Sequence, residues 1–122
     1  MIDAGFGANY DIEAEWKSNN GILESLSGVS EITADICVTS RMTEDKDMVL
    51  IMELFDEDNN IVAMDAISVK AKSNETVVPE DILKISDLSN ITEDYTLKIF
   101  IWDNIISMKS LNKHIVFGES YK

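Results

Sequence analysis

"MVLIMELFDEDNNIVAMDAISVKA", residues 48–71, decides the fold. From Met48 to Phe55 the stretch is apolar at every position but Glu53. A strand that is apolar on both faces lies inside a sheet, covered on one side and partly shielded on the other. Asp56 to Asn60 follow as a run of Asp and Asn around Glu57, residues that tolerate turn conformations and bond their own backbone. Ile61 to Ala71 then resumes an apolar-rich run. Two such runs joined by five polar residues predict an antiparallel β-hairpin.

The same period-two logic extends in both directions. In "FGANYDIEAEW", Phe6, Ala8, Tyr10, Ile12, Ala14 and Trp16 alternate with Gly7, Asn9, Asp11, Glu13 and Glu15, which predicts one long strand with one buried face. Lys17 to Gly21 is turn chemistry, and Ile22 to Leu26 reads as a short strand or a helical turn. In "EITADICVTS", Ile32, Ala34, Ile36 and Val38 share a face opposite Thr33, Asp35, Cys37 and Thr39, another half-buried strand. Downstream, Lys72 to Thr76 is loop, Pro79 marks an edge or a break in pairing, and "ILKISDL" gives a short strand. "YTLKIFIWD" sets Leu97, Ile99 and Ile101 against Phe100 and Trp102, and "KHIVFGE" closes the domain. Helix signals are confined to a turn after Pro79.

Seven or eight strands at this spacing, joined by antiparallel hairpin connections, predict an all-β, antiparallel two-sheet sandwich. The boundaries are one domain over residues 1–122. Residues 1–30 supply an N-terminal strand and connection, and 31–118 supply the sandwich core.

At 122 residues the chain can bury roughly two-thirds of its unfolded surface in a single core. Hydrophobic residues make up 45% of it, and no apolar run approaches the roughly 18 to 20 residues that a membrane helix needs. Asp and Glu number 23 against 10 Lys and Arg, a formal charge of −13. Such a surface repels phosphate backbones and anionic headgroups, which argues against nucleic acid and membrane partners and leaves cations or plain solvation. A single cysteine, Cys37, forms no internal disulfide and sits in a strand as filler. Met1-Ile2-Asp3 lacks the basic start and apolar run of a signal peptide, as would a segment cut from a longer exported chain.

Chemistry-bearing patterns are few. Asp56, Asp58 and Asn60 match positions 1, 3 and 5 of a calcium-binding helix-loop-helix, a weak Ca²⁺ candidate. Ile61 stands where that loop needs glycine and Ile67 where it needs glutamate, so a hairpin turn competes with the metal reading. His114 has no nucleophile elbow, Cys/His signature or metalloprotease helix around it, which predicts no catalytic residue and no cofactor. Asn74-Glu75-Thr76 and Asn90-Ile91-Thr92 satisfy the N-glycosylation pattern. Tyr10 and Trp16 share the apolar face of the first strand and belong to the core, whereas Phe100 and Trp102 could stack on sugar rings if exposed.

"YTLKIFIWDNIISMKSL", Tyr95 to Leu111, resembles a signature near the ends of many exported and cell-surface proteins of clostridia and related Gram-positive bacteria. Lys98, Phe100, Trp102, Asp103, Met108, Lys109 and Leu111 fall on that signature, and Ser110 replaces its usual proline. The hairpin resembles the same family's, with Phe55 at the usual tyrosine, and the likeness runs from about Ile32 to Val116.

The resemblance implies an extracellular or surface location. It also implies an immunoglobulin- or fibronectin-III-like sandwich serving as a non-catalytic accessory module for spacing, stabilisation or adhesion, with neighbouring domains or a cell-wall or glycan ligand as partners; edge strands that could pair between copies leave monomer and weak dimer open. A carbohydrate-binding module with exposed aromatics is the alternative. Two local expectations accompany it. Met108 and Leu111 fold back as a lid that buries Trp102, so that Trp102→Ala costs about 3 to 5 kcal/mol. Tyr95 acts as a tyrosine corner, its phenol bonded to backbone a few residues upstream.

Overall fold

A computed structural model describes residues 2–6, 9–19, 21–104 and 106–118. It contains ten strands: β1 (Ile2–Phe6), β2 (Tyr10–Ser18), β3 (Gly21–Ile22), β4 (Ile32–Ser40), β5 (Lys46–Phe55), β6 (Ile61–Ala71), β7 (Thr76–Val77), β8 (Leu83–Ile85), β9 (Thr96–Trp102) and β10 (Ser110–Val116). One sheet runs β1-β2-β4-β7, with β3 on β2 and β8 on β4; the other runs β10-β9-β5-β6. All pairings are antiparallel. This is the sandwich expected, with the strand order of a fibronectin-III-like fold and β1 added at one edge. Seven strands have five or more residues; β3, β7 and β8 are shorter.

The hairpin forms as its sequence dictates. β5 lies between β9 and β6 and pairs with both along its length. At the turn, Asp56 Oδ1 accepts hydrogen bonds from the backbone N–H of Asp58 and of Asn60, both 2.9 Å, while Asn59 takes a left-handed φ of 64°. Short carboxylates and carboxamides relieve the helix-like turn at little steric cost, which is why this loop is made of them.

The first strand departs from expectation. Phe6 pairs with Asp11, so the chain reverses between Phe6 and Tyr10 and the run read as one strand is a β1–β2 hairpin. The register sets Phe6 opposite Asp11, off the parity of Tyr10, so the alternation from Phe6 to Trp16 runs on in sequence but not on one face; Gly7 and Asn9 carried the turn signal. Gly7 and Ala8 themselves lie outside the described residues.

Between the sheets, Ile12, Ala14 and Trp16 of β2 and Ile32, Ala34 and Val38 of β4 face Met48, Leu50, Met52 and Leu54 of β5 and Leu97, Ile99 and Ile101 of β9. Trp16 is 0% exposed and meets the Phe117 ring edge-on, 5.8 Å between centroids. After β3 the chain has no regular structure, yet Leu23, Leu26 and Val29 are buried in the same core, and Gly28 N–H bonds Ile91 C=O at 2.8 Å. This segment plugs the end of the sandwich where β9 begins, opposite the end that carries the loop after β9. Asp65, on the inward parity of β6, accepts from the Lys84 N–H of β8 at 2.9 Å and links the edges of the two sheets.

Candidate functional site: the outer face of the four-stranded sheet

A strand alternates its side chains, so each sheet has a face turned away from the core, and the two outer faces differ sharply in chemistry. On β2 and β4 the outward residues are Asp11, Glu13, Glu15, Lys17, Thr33, Asp35, Cys37 and Thr39. Four acids stand there against one lysine, and Lys17 is held by Asp35 at 2.9 Å. Burial and the neighbouring Glu13 carboxylate push the Cys37 thiol up from its ordinary range, so it stays protonated and inert at neutral pH.

The outer face of β10-β9-β5-β6 is apolar and aromatic. β5 contributes Val49, Ile51 and Phe55, β9 contributes Phe100 and Trp102, and β6 contributes Met64. Ile51 is 0% exposed although it points away from the sandwich core, because the larger neighbours on this face close over it. Two acids and two lysines share the face. Asp47 lies 3.9 Å from Lys70, and Glu53 stands opposite Lys98 in register. Among the described side chains their charges sum to zero, on a chain of −13.

Glu53 is 8% exposed, and this desolvation pushes its carboxyl above the usual glutamate range; the Lys98 ammonium acts in the opposite direction. Lys98 also lies over the Phe55 ring at 5.4 Å, a cation–π placement.

Phe100 is the centre of a row of rings. Trp102 lies 5.7 Å from it, tilted 37°, and His114 of β10 lies 5.4 Å on the other side, tilted 36°. Both contacts fall within the centroid distances of interacting rings, so the three side chains are packed against one another in a row.

Trp102 is therefore half-buried on the outer face, and the expected lid is corrected. Its parity is that of Lys98 and Phe100, away from the core. The loop beyond it is built locally: Asn104 Oδ1 accepts from the N–H of Ile106 at 3.0 Å and of Ser107 at 2.8 Å, and Met108 N–H bonds Asn104 C=O at 2.9 Å. Met108 ends this turn in a left-handed φ of 51° and is 56% exposed. The capped turn keeps the loop at the end of the sheet, where it never folds over the indole. Leu111 alone of the expected lid packs on the core. Ile105 lies outside the described residues.

The other signature residues have structural roles. Asp103 holds Lys46 Nζ at 2.6 Å and donates its backbone N–H to Lys109 C=O at 2.7 Å, which anchors both ends of the loop. Tyr95 is partly buried against the core beside a cleft of about 310 Å³ that Glu24, Glu93 and Phe117 also line. Among the described residues its phenol has no backbone partner upstream, so it is not a tyrosine corner; its own N–H bonds Thr92 C=O at 3.2 Å instead.

Asp56 spends its carboxylate on the hairpin turn. Among the described residues no group of three or more His, Cys, Asp or Glu is placed to hold a metal ion. Asn74 and Asn90 are exposed, in left-handed conformations at turns.

Sequence reading missed the charge balance of this face. The signal was available: Glu53 and Lys98 are the polar interruptions of two otherwise apolar strands, and opposite positions in antiparallel strands bring such pairs together.

The fold and this face define a fibronectin-III-like β-sandwich with one acidic outer face and one aromatic, charge-balanced one. No protein-family model and no curated protein matches the chain. Among solved structures it is similar to a β-glucuronidase from glycoside hydrolase family 2, with a TM-score of 0.55 and 16% identity. The match covers 93% of this chain and 12% of that one, so the likeness is one of fold to a single sandwich domain within a far longer polypeptide.

Proposed function

We propose that the chain is a non-catalytic accessory domain of a larger exported or surface-attached protein, where it spaces or stabilises a neighbouring domain or mediates adhesion. The observation that carries this reading is the neutral, aromatic outer face of the four-stranded sheet on a strongly acidic chain. Solvent-exposed faces of such a chain have no physical need of clustered apolar side chains, whereas interaction surfaces do.

Two further observations support it. The similar structure is one sandwich in a glycosidase whose chain is about eight times longer than the matched part. The Tyr95–Leu111 stretch resembles the signature of clostridial surface-protein modules, with Lys98, Phe100 and Trp102 side by side on the face in question. His114, the sole histidine, is engaged with Phe100 on that face. The carbohydrate-binding alternative calls for open ring faces, whereas Trp102, Phe100 and His114 are packed against one another and half-buried.

The test compares the full gene product with one lacking these 122 residues. Removal is expected to lower the melting temperature or surface adhesion of the remainder, and the isolated domain is expected to hydrolyse no β-glucuronide. Turnover by the isolated domain would overturn the reading.

A further inference from the structure

We infer that the outer face of β10-β9-β5-β6 is a docking surface for an adjacent domain of the same polypeptide; this rests on the accessory-domain reading and adds the place of contact and the occupant. Three features converge on the face. Its centre is dry before any partner arrives: Ile51 is 0% exposed and Glu53 8%. Its rim is apolar, with Met64 52% exposed and Trp102 half-buried. Its charges cancel in pairs, Asp47 with Lys70 and Glu53 with Lys98. Burying an unbalanced charge is costly, so a face meant to be covered keeps its ions compensated.

Area selects the occupant. Four strands about 4.8 Å apart and some seven residues long make a face of roughly 19 by 24 Å, about 450 Å² per side. Covering it removes about 900 Å² in total, below the roughly 1,200 to 2,000 Å² of interfaces that hold two independent proteins together. The same area falls within the roughly 600 to 1,500 Å² of contacts between domains of one chain, where the covalent link supplies a high effective concentration. A second copy is disfavoured further because each copy carries a charge of −13. The occupant is accordingly a tethered domain that presents an apolar, near-neutral patch.

The test is hydroxyl-radical footprinting, read by mass spectrometry, of the isolated 122-residue domain and of the full gene product. In the isolated domain Trp102 and Met64 are expected to oxidise at a rate that does not change with protein concentration. In the full product both are expected to lose reactivity several-fold, while hydroxyl-radical oxidation of Cys37 on the opposite sheet stays the same. Met64→Asp in the full product is expected to restore Trp102 oxidation. Equal Trp102 oxidation in the two proteins would overturn the docking inference, and a stability loss on deleting the domain would still leave the accessory reading standing. Protection that grows with concentration in the isolated domain, with a dimer in sedimentation, would assign the face to a second copy and also overturn the inference.

Discussion

Glu53 and Lys98 face each other across the β5–β9 ladder on the outside of the sandwich, and Glu53 is buried there by neighbours of its own face. The carboxyl pKa is raised, with desolvation the larger cause and Lys98 the opposing one. A carboxyl with a folded pKa above its unfolded value binds its proton more tightly when folded. Stability therefore falls as pH rises from the unfolded value through the folded one. Glu53→Gln is expected to raise the melting temperature of the isolated domain at pH 7 and to give no gain near pH 3.5. An equal change at both pH values would contradict the assignment.

The two tryptophans are expected to respond very differently to truncation. Trp16 fills the centre of the core, and Trp16→Ala is expected to cost about 3–5 kcal/mol. Trp102 is half-buried and leans on Phe100, so Trp102→Ala is expected to cost about 1–2 kcal/mol. Urea denaturation of both variants checks the ratio, and equal losses would mean that the indole of Trp102 belongs to the interior.

The hairpin turn is held by one carboxylate oxygen that serves two backbone N–H groups. Asp56→Ala is expected to lose about 1–2 kcal/mol. Because that carboxylate is already engaged, millimolar calcium is expected to leave the melting temperature of the wild-type domain unchanged. A calcium-dependent rise abolished by Asp56→Ala would restore the metal reading.

The loop after β9 is set more by its cap than by its ion pair. Asn104→Ala removes the acceptor for two N–H groups and is expected to cost about 1 kcal/mol. Lys46→Met breaks an ion pair whose partners are both partly exposed, with an expected loss smaller than that of Asn104→Ala and shrinking further in high salt. Urea midpoints of the two variants at low and high salt separate the effects.

The fold was legible because side-chain parity survives in the strands that matter. Ile32 to Val38, Met48 to Leu54 and Leu97 to Ile101 alternate or run apolar as a two-layer sandwich requires. Parity alone also misled. Phe6 and Tyr10 share a parity in sequence but lie on opposite arms of a hairpin whose register pairs Phe6 with Asp11, so the alternation read across residues 6–16 does not mark one face. Trp102 has the parity of the outer face, and the apolar Met108 and Leu111 of the following loop pointed the other way, to a lid. Chain beyond a strand end follows its local caps, here Asn104 and the left-handed Met108, which hydrophobicity does not encode. The charge balance of the outer face was missed because the two polar interruptions, Glu53 and Lys98, are far apart in sequence and become a pair only once the β5–β9 register is known.

Acrylamide quenching of tryptophan fluorescence in the isolated domain tests the placement of the two indoles most directly. The wild-type chain is expected to show a quenchable, red-shifted component and a protected, blue-shifted one. Trp102→Phe is expected to abolish the first and leave the second, the signal of Trp16 in a closed core. If Trp102→Phe quenches as the wild type does, the outer face is not where Trp102 lies, and the case for an aromatic interaction surface falls with it.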